Sequence, residues 1–412
     1  MQNIISITKN GMNKASGPFY YEYNNYICDK NDAMILRDEI FNPFFIGRYV
    51  DKHYFCDREK DTETLIKHIV NGRNVALISP RRLGKSGLIH HTFAQETIKE
   101  KYTPIYVDIY STKDLHEFVK ALSEAIVKAV RPQKKWHEKF FSFIRSLTVG
   151  FTIDAVTGEP SFNIGVGDIE HPDKTIRELF EYMEASEKPC VLAIDEFQQI
   201  REYPQSTTEA FIRSLVQECS RTSFIFCGSK RHIMTDIFYS PAKPFFQSVI
   251  SQSLKPIPMD IYTEFAGRMF AEKGKFLDKT VAELIYRMFD GCTWYMQMMM
   301  NELFALTREG MICTPEYIDF AWENIIMAQE DRFQAILFGL APKQKQLLYA
   351  IAKDKNVEGI TSSEFVKRHR LVSASSVQAA LKPLMKNDIV TCEEGVYRIY
   401  DYFFADYLAK LC

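Results

Sequence analysis

The chain has 412 residues, with 51 Lys and Arg against 53 Asp and Glu, a formal net charge of −2. That length suggests two to four domains with a real core, and 46% hydrophobic with 25% charged residues excludes an intrinsically disordered chain. The near-neutral balance removes the simplest argument for a nucleic-acid binder, a broad basic face, while leaving room for a local basic patch.

No apolar run approaches the roughly 18 residues of a bilayer span. The N-terminus has no basic segment leading into a continuous apolar one, so neither a secretory signal nor a membrane association is expected. The nine cysteines are odd in number and form no CxxC pair, which argues against both a zinc site and a disulfide framework. Cys190 and Cys227 lie inside apolar runs and read as small core residues. A reducing, cytoplasmic setting follows.

Residues 1–40 are rich in Asn, Tyr and Lys and read as an N-terminal extension. From 41 to 255, short apolar runs alternate with amphipathic stretches, the mark of a parallel sheet built from βαβ units with helices on both faces. Strands are expected at Val75–Ile78, Ile105–Ile109, Val191–Ile194 and Phe224–Cys227, and helices at about 86–100, 113–130, 174–186 and 207–220. Thr148–Gly167 breaks this rhythm and reads as a β-hairpin insertion around Thr157-Gly158.

Past Pro256 strand-like runs stop, and a helical region is expected over 256–338, its Met-rich stretch at 284–304 read as core packing. From 339 to 412 three short helices are expected at Pro342–Lys353, Ser362–Arg370 and Ser375–Met385, the last interrupted by Pro383. Ile389–Cys392 and Val396–Ile399 then flank a tight turn, and three helices followed by a hairpin make a winged helix. The fold class is therefore α/β: a parallel sheet with helices on both faces, then a helical region, then a winged-helix domain.

The most informative segment is the strand Val75–Ile78 and the loop that follows it. Ser79, Pro80, Arg81, Arg82, Leu83, Gly84, Lys85 and Ser86 match GxxxxGK[ST] except that Ser79 stands at the first Gly, and Gly87 follows as a further candidate contact. Backbone N–H groups of 82–86 and a helix N-terminus suit a β-phosphate. Lys85 would reach the β- and γ-oxygens, and the Ser86 hydroxyl would ligate Mg²⁺. Arg81 and Arg82 stand open between solvated side chains and contacts to a phosphate or partner chain.

The second half of the site is Cys190-Val-Leu-Ala-Ile-Asp195-Glu196, an apolar strand closing on two acids. Acids at a helix N-terminus are the plainer explanation, but the upstream loop makes a nucleotide site the better one. Asp195 would join Ser86 in the metal shell, and Glu196 would polarise an attacking water as general base. A further strand closes on Ser229-Lys230-Arg231. Ser229 would bond the γ-phosphate or the water, and Arg231 or Lys230 would stabilise charge developing in phosphoryl transfer.

On these motifs the sequence resembles the archaeal-type ATPase family, in the MNS clade of STAND P-loop ATPases and close to AAA+ proteins. The resemblance rests on Asn42-Pro43-Phe44, Tyr54–Glu59, Pro80–Ser86, Ile194–Phe197, Cys227–His232 and Gly291–Gln297, and spans about 41–412. It implies an ATP-binding α/β domain with a lid and a winged helix, and it places Phe55–Glu59 near the adenine with Arg58 a candidate contact. The chain departs from the family at Ser79 and at Gly291-Cys292-Thr293-Trp294, where Gly-x-Pro is commoner.

For DNA, residues 341–412 hold eleven Lys and Arg against eight acids, a net of +3. Lys367, Arg368 and Arg370 cluster before the third helix, on which Ser375, Ser376, Gln378 and Lys382 are expected outward and Val377, Leu381 and Leu384 inward. Glu393 and Glu394 in the wing would repel a phosphate backbone, so DNA is open but not favoured. The reading is an ATPase using ATP and Mg²⁺, its nucleotide state coupled to domain closure, with a protein partner or homo-oligomer open. The alternative is a slow nucleotide-controlled switch or DNA-associated regulator.

Overall fold

The computed structural model describes residues 41–130, 152–153, 160–161 and 171–411. The N-terminal extension, and the turn of the hairpin insertion, lie outside the described residues. In chain order the strands of the first half are β1 (Val75–Ile78), β2 (Thr103–Asp108), β3 (Thr152–Ile153), β4 (Pro160–Ser161), β5 (Cys190–Asp195), β6 (Ser223–Gly228) and β7 (Ile250–Gln252). Five of them form one sheet in the order β2-β5-β6-β1-β7, every pairing parallel. β3 and β4 pair antiparallel apart from that sheet.

Every residue of β1, β5 and β6 is buried, because helices cover both faces and leave no wet side. On one face Phe180, Phe197, Phe224, Phe226, Phe238 and Phe245 close the core; on the other Leu65, Leu77, Leu88, Ile89 and Ile225 do. The parallel register brings the C-terminal ends of the strands to one edge, where Asp108 stands opposite Asp195 and Ile78 opposite Gly228. That edge is where open α/β sheets bind ligands.

Two expectations for this half need correction. The helix read at 86–100 is two, Lys85–Ala94 and Glu96–Lys101. Gln95 is extended between them, and its side-chain amide donates to the His91 carbonyl, which relieves one unpaired helix-end acceptor. β7, an edge strand of three residues with Ile250 and Ser251 exposed, carries too little pattern to be seen in sequence.

The rest of the chain packs around a second apolar cluster running from Ile257 to Leu408, which Phe44 and Cys56 also join. Helices Met259–Ala271, Lys279–Met288, Thr293–Leu306 and Tyr317–Phe338 supply its first part. The expected core role of the Met-rich stretch holds, since Met296, Met299 and Met300 are fully buried. Strands do not stop at Pro256, however. β8 (Phe276–Leu277) and β9 (Ile312–Cys313) pair in parallel, each too short to show alternation.

Helices Pro342–Asp354, Ser363–Arg368 and Ala374–Lys386 follow, with β10 (Val357–Glu358), β11 (Val390–Glu393) and β12 (Val396–Ile399). These strands form an antiparallel sheet in the order β10-β12-β11, and the helix Tyr402–Lys410 closes the chain. Pro383 does not interrupt its helix: buried Val377, Ala380, Leu381 and Leu384 carry the last turn past the one missing backbone donor. Ser375, Gln378 and Lys382 are exposed on the opposite side.

Candidate nucleotide site

The loop after β1 turns twice through left-handed backbone, at Arg82 (φ 69°) and Gly84 (φ 91°), before the helix Lys85–Ala94 begins. Gly84 is the residue for which that conformation costs nothing. Ser79 keeps the first loop position small and makes use of its hydroxyl, whose Oγ accepts the Leu254 N–H at 2.6 Å. Lys85 is buried and lies along the loop it follows, its Nζ donating to the Ser79 and Pro80 carbonyls at 2.8 and 2.9 Å.

At the sheet edge the Ser86 hydroxyl donates to Asp195 Oδ2 at 2.5 Å. The Tyr106 hydroxyl donates to the same oxygen at 2.7 Å, and the Glu196 N–H donates to Oδ1. Burial alone would push the Asp195 carboxyl up, but hydrogen bonds from Ser86, Cys227, Tyr106 and the Glu196 backbone hold it below its ordinary range. An ionised carboxylate beside a serine hydroxyl is an all-oxygen donor set, which suits Mg²⁺.

Glu196 is itself in left-handed backbone, φ 55°, which throws its side chain off the strand line. Its Oε2 accepts from Ser229 Oγ at 2.9 Å and from the Gln198 amide. Gly228 is what allows Gln198 so close: a Cβ there would lie 2.5 Å from Gln198 Oε1 and from Met234 Sδ. The structure thus brings Ser86, Asp195, Glu196 and Ser229 together as the sequence suggested.

Other expected residues are placed differently. Arg58 is buried, and its guanidinium donates to the main-chain carbonyls of Lys255 (2.7 Å) and Leu83 (3.1 Å), tying the loop to the segment before the helix Met259–Ala271. Phe55 stacks on His91, and its ring lies where a Gly87 Cβ would approach to 3.2 Å. Arg231 is exposed and lines a neighbouring cavity of about 570 Å³ with Leu83, Leu254, Tyr295, Arg398 and Tyr400. Pro80 also lines that cavity.

Arg81 and Arg82 are neither solvated nor free. Arg81 Nη1 reaches Asp388 Oδ2 at 2.8 Å, and its Nε donates to Ser229 Oγ at 3.1 Å. Arg82 sits over the rings of Trp294, Tyr295 and Tyr400 at 4.2–5.1 Å, bonds the Tyr295 hydroxyl, and lies 3.8 Å from Asp401. Trp294 returns its own N–H to the Arg82 carbonyl at 3.1 Å, so the Gly291–Trp294 turn meets the phosphate loop.

Sequence reasoning missed Tyr106, Asp108, Gln198, Asp388, Tyr400 and Asp401. Asp108 could have been found: Ile105-Tyr-Val-Asp108 is an apolar strand closing on an acid, the signal that marked Asp195. Burial raises the Asp108 carboxyl, with Asp195 and Glu196 adding to the shift and the Tyr110 N–H opposing it. Asp388 and Asp401 carry no such signal, since only folding places them at the loop.

A family model described as "ATPase domain predominantly from Archaea" matches residues 55–299, and one described as "Probable winged helix domain" matches 331–410. Among solved structures, the Walker-type ATPase PABY2304 of Pyrococcus abyssi superposes with a TM-score of 0.61 at 18% identity, over 89% of this chain and 99% of that one. The ORC2 protein of Aeropyrum pernix, solved in ADPNP–ADP complexes, gives 0.56 at 13% identity over 90% and 96%. The ORC1 protein of the same organism in complex with DNA gives 0.51 at 14% identity over 89% and 94%. No curated protein matches the sequence. Among the described residues no helix is long and apolar enough to cross a membrane. With its family model covering more than half of the chain and its loop, acids and parallel sheet in place, the protein belongs to the archaeal-type ATPase family: it is a nucleotide-binding, ATP-hydrolysing P-loop enzyme that carries a C-terminal winged helix.

Proposed function

We propose that this chain hydrolyses ATP with Mg²⁺ and couples its nucleotide state to the position of the winged helix. The observation that carries the reading is the convergence of Ser86, Asp195, Glu196 and Ser229 at the edge of the phosphate loop. On this reading Lys85 and the backbone of 82–86 hold the β- and γ-phosphates, and Ser86 and Asp195 hold the metal. Bound there, Mg²⁺ would neutralise charge on the phosphate oxygens. Glu196 accepts the proton of the attacking water and Ser229 orients that water or the γ-phosphate, while Arg231 faces the neighbouring cavity instead.

The cavity beside the loop is of a size for the base and ribose, and its walls support the coupling. They come from β1, the segment after β7, the Phe289–Tyr295 turn and the wing, so a nucleotide would touch both halves of the chain at once. The chain then divides into an ATPase domain at 41–255, a lid at 256–338 and a winged helix at 339–412.

The test is Glu196→Gln, which should bind ATP with near-normal affinity and lose about 100-fold or more of the hydrolysis rate. An unchanged rate would sink the mechanism. The exposed row Ser375, Gln378 and Lys382 favours a second reading, a DNA-associated regulator in which hydrolysis only resets the state. The same assay with duplex DNA separates the two, because the regulator needs salt-sensitive DNA binding and a rate that responds to it.

A further inference from the structure

We propose that Asp388 and Arg81 are positioning residues for the hydrolytic glutamate, joined to Glu196 through Ser229, so that the seated winged helix restrains the base. The chain of contacts is continuous. Asp388 Oδ2 accepts from Arg81 Nη1 at 2.8 Å, Arg81 Nε donates to Ser229 Oγ at 3.1 Å, and Ser229 Oγ donates to Glu196 Oε2 at 2.9 Å. It links positions 307 residues apart in sequence.

The direction of these bonds is dictated by chemistry. A guanidinium only donates, so Ser229 must receive the Arg81 N–H through its lone pair. The one Ser229 proton is then directed to the remaining partner, and that partner is the Glu196 carboxylate. Gln198 donates to the same oxygen, which fixes the carboxylate toward β6. Asp388 is what holds Arg81 in that pose: its carboxylate takes one arm of the fork while Nε stays on Ser229. Burial works against the Arg81 charge, yet Asp388, Glu196 and Tyr400 more than restore it. A γ-phosphate arriving in the loop competes with Asp388 for the same cation. When Arg81 turns to the phosphate, Ser229 regains a free lone pair and its proton no longer has a dictated acceptor.

This inference rests on Glu196 being the base, and the experiment separates the two claims. Asp388→Asn removes the charge with little change of shape, and the left-handed backbone at 388 (φ 53°) suits Asn as well as Asp. Basal ATPase rate and affinity for a fluorescent ATP analogue are measured together. The variant should raise kcat by about fivefold or more, with a much smaller change in ATP affinity. In a Ser229→Ala background the same substitution should add nothing, since the relay is already cut.

Arg81→Lys is the second route, and it also decides the matter if Asp388→Asn does not fold. Lysine keeps the positive charge but loses the planar fork whose separate arms hold Asp388 and Ser229 in fixed directions; it too should raise kcat. A folded Asp388→Asn with unchanged kcat, or the same gain with and without Ser229, overturns the relay. If Glu196→Gln, run beside them, is inactive while that happens, the base stands and the relay alone falls. An active Glu196→Gln removes the base and the relay together.

Discussion

The two ends of the phosphate loop are held by different parts of the molecule. At the helix end, Lys85 and Ser86 are tied to groups of their own sheet: the Ser79 and Pro80 carbonyls and Asp195 on β5. At the strand end, Arg81 and Arg82 are tied to the far half of the chain, to Asp388, Tyr400, Asp401 and the Trp294–Tyr295 turn. The first set lies within the ATPase sheet and involves the groups that would take phosphate and metal. The second joins the loop both to the helix Thr293–Leu306 and to the winged helix. A single loop thus carries both the chemistry and the report of where another domain lies, because one side of it faces the sheet and the other faces the cavity.

The comparison breaks most sharply at Lys85. Lys85→Ala should weaken ATP binding by about 100-fold, near 3 kcal/mol, because a charge-assisted contact to phosphate is lost; titration with a fluorescent analogue reads it directly. If Arg82→Ala weakened ATP equally, the two ends would not differ in kind. The expectation for Arg82→Ala is instead a loss of about 1–2 kcal/mol of stability in denaturant titration, from the ring contacts and the Tyr295 bond.

The smallest expected effect is on acid stability. The Asp195 carboxyl is held below its ordinary 3.8, so its contribution is complete above the unfolded value and lost as pH falls through the lower folded one. Asp195→Asn should therefore flatten the stability–pH curve below about pH 4, in melting experiments without nucleotide. An unchanged acid limb would mean that the Ser86 and Tyr106 bonds do not hold the carboxylate.

Much of the helix end was legible in sequence, because strand, glycine, lysine and hydroxyl follow one another and interact locally. Asp195 and Glu196 were legible too, since two acids closing a fully apolar strand need an edge that faces a ligand. Asp108 repeats that pattern and was passed over, being a single acid beside an alternating Tyr. Tyr106 carries no signal of its own in the sequence, and only the β2–β5 register brings its hydroxyl to Asp195. The short strands β7, β8 and β9 were illegible, since two or three residues cannot display a period.

The winged helix shows the other limit. Its helices and wing were readable from spacing, and Val377, Leu381 and Leu384 are buried as their positions on the helix required. In sequence Glu393 and Glu394 read as wing charge that disfavours DNA, and Asp388 carries no signal. In the folded chain Asp388 faces Arg81, and Glu393 lines the cavity with Arg231. Their meaning comes from what stands opposite, and a linear pattern does not contain that.

By itself the sequence determined the parallel sheet, the phosphate loop, the acids at the strand ends and the order of the three regions. Each of these is a matter of local period or of residue types a few positions apart. Tertiary structure alone decided that Arg58 binds main-chain carbonyls, that Arg81 and Arg82 face the winged helix, and that Ser229 bridges Arg81 to Glu196. Those contacts join residues as far apart as Arg82 and Asp401, and only the packing of one half of the chain on the other brings them within reach.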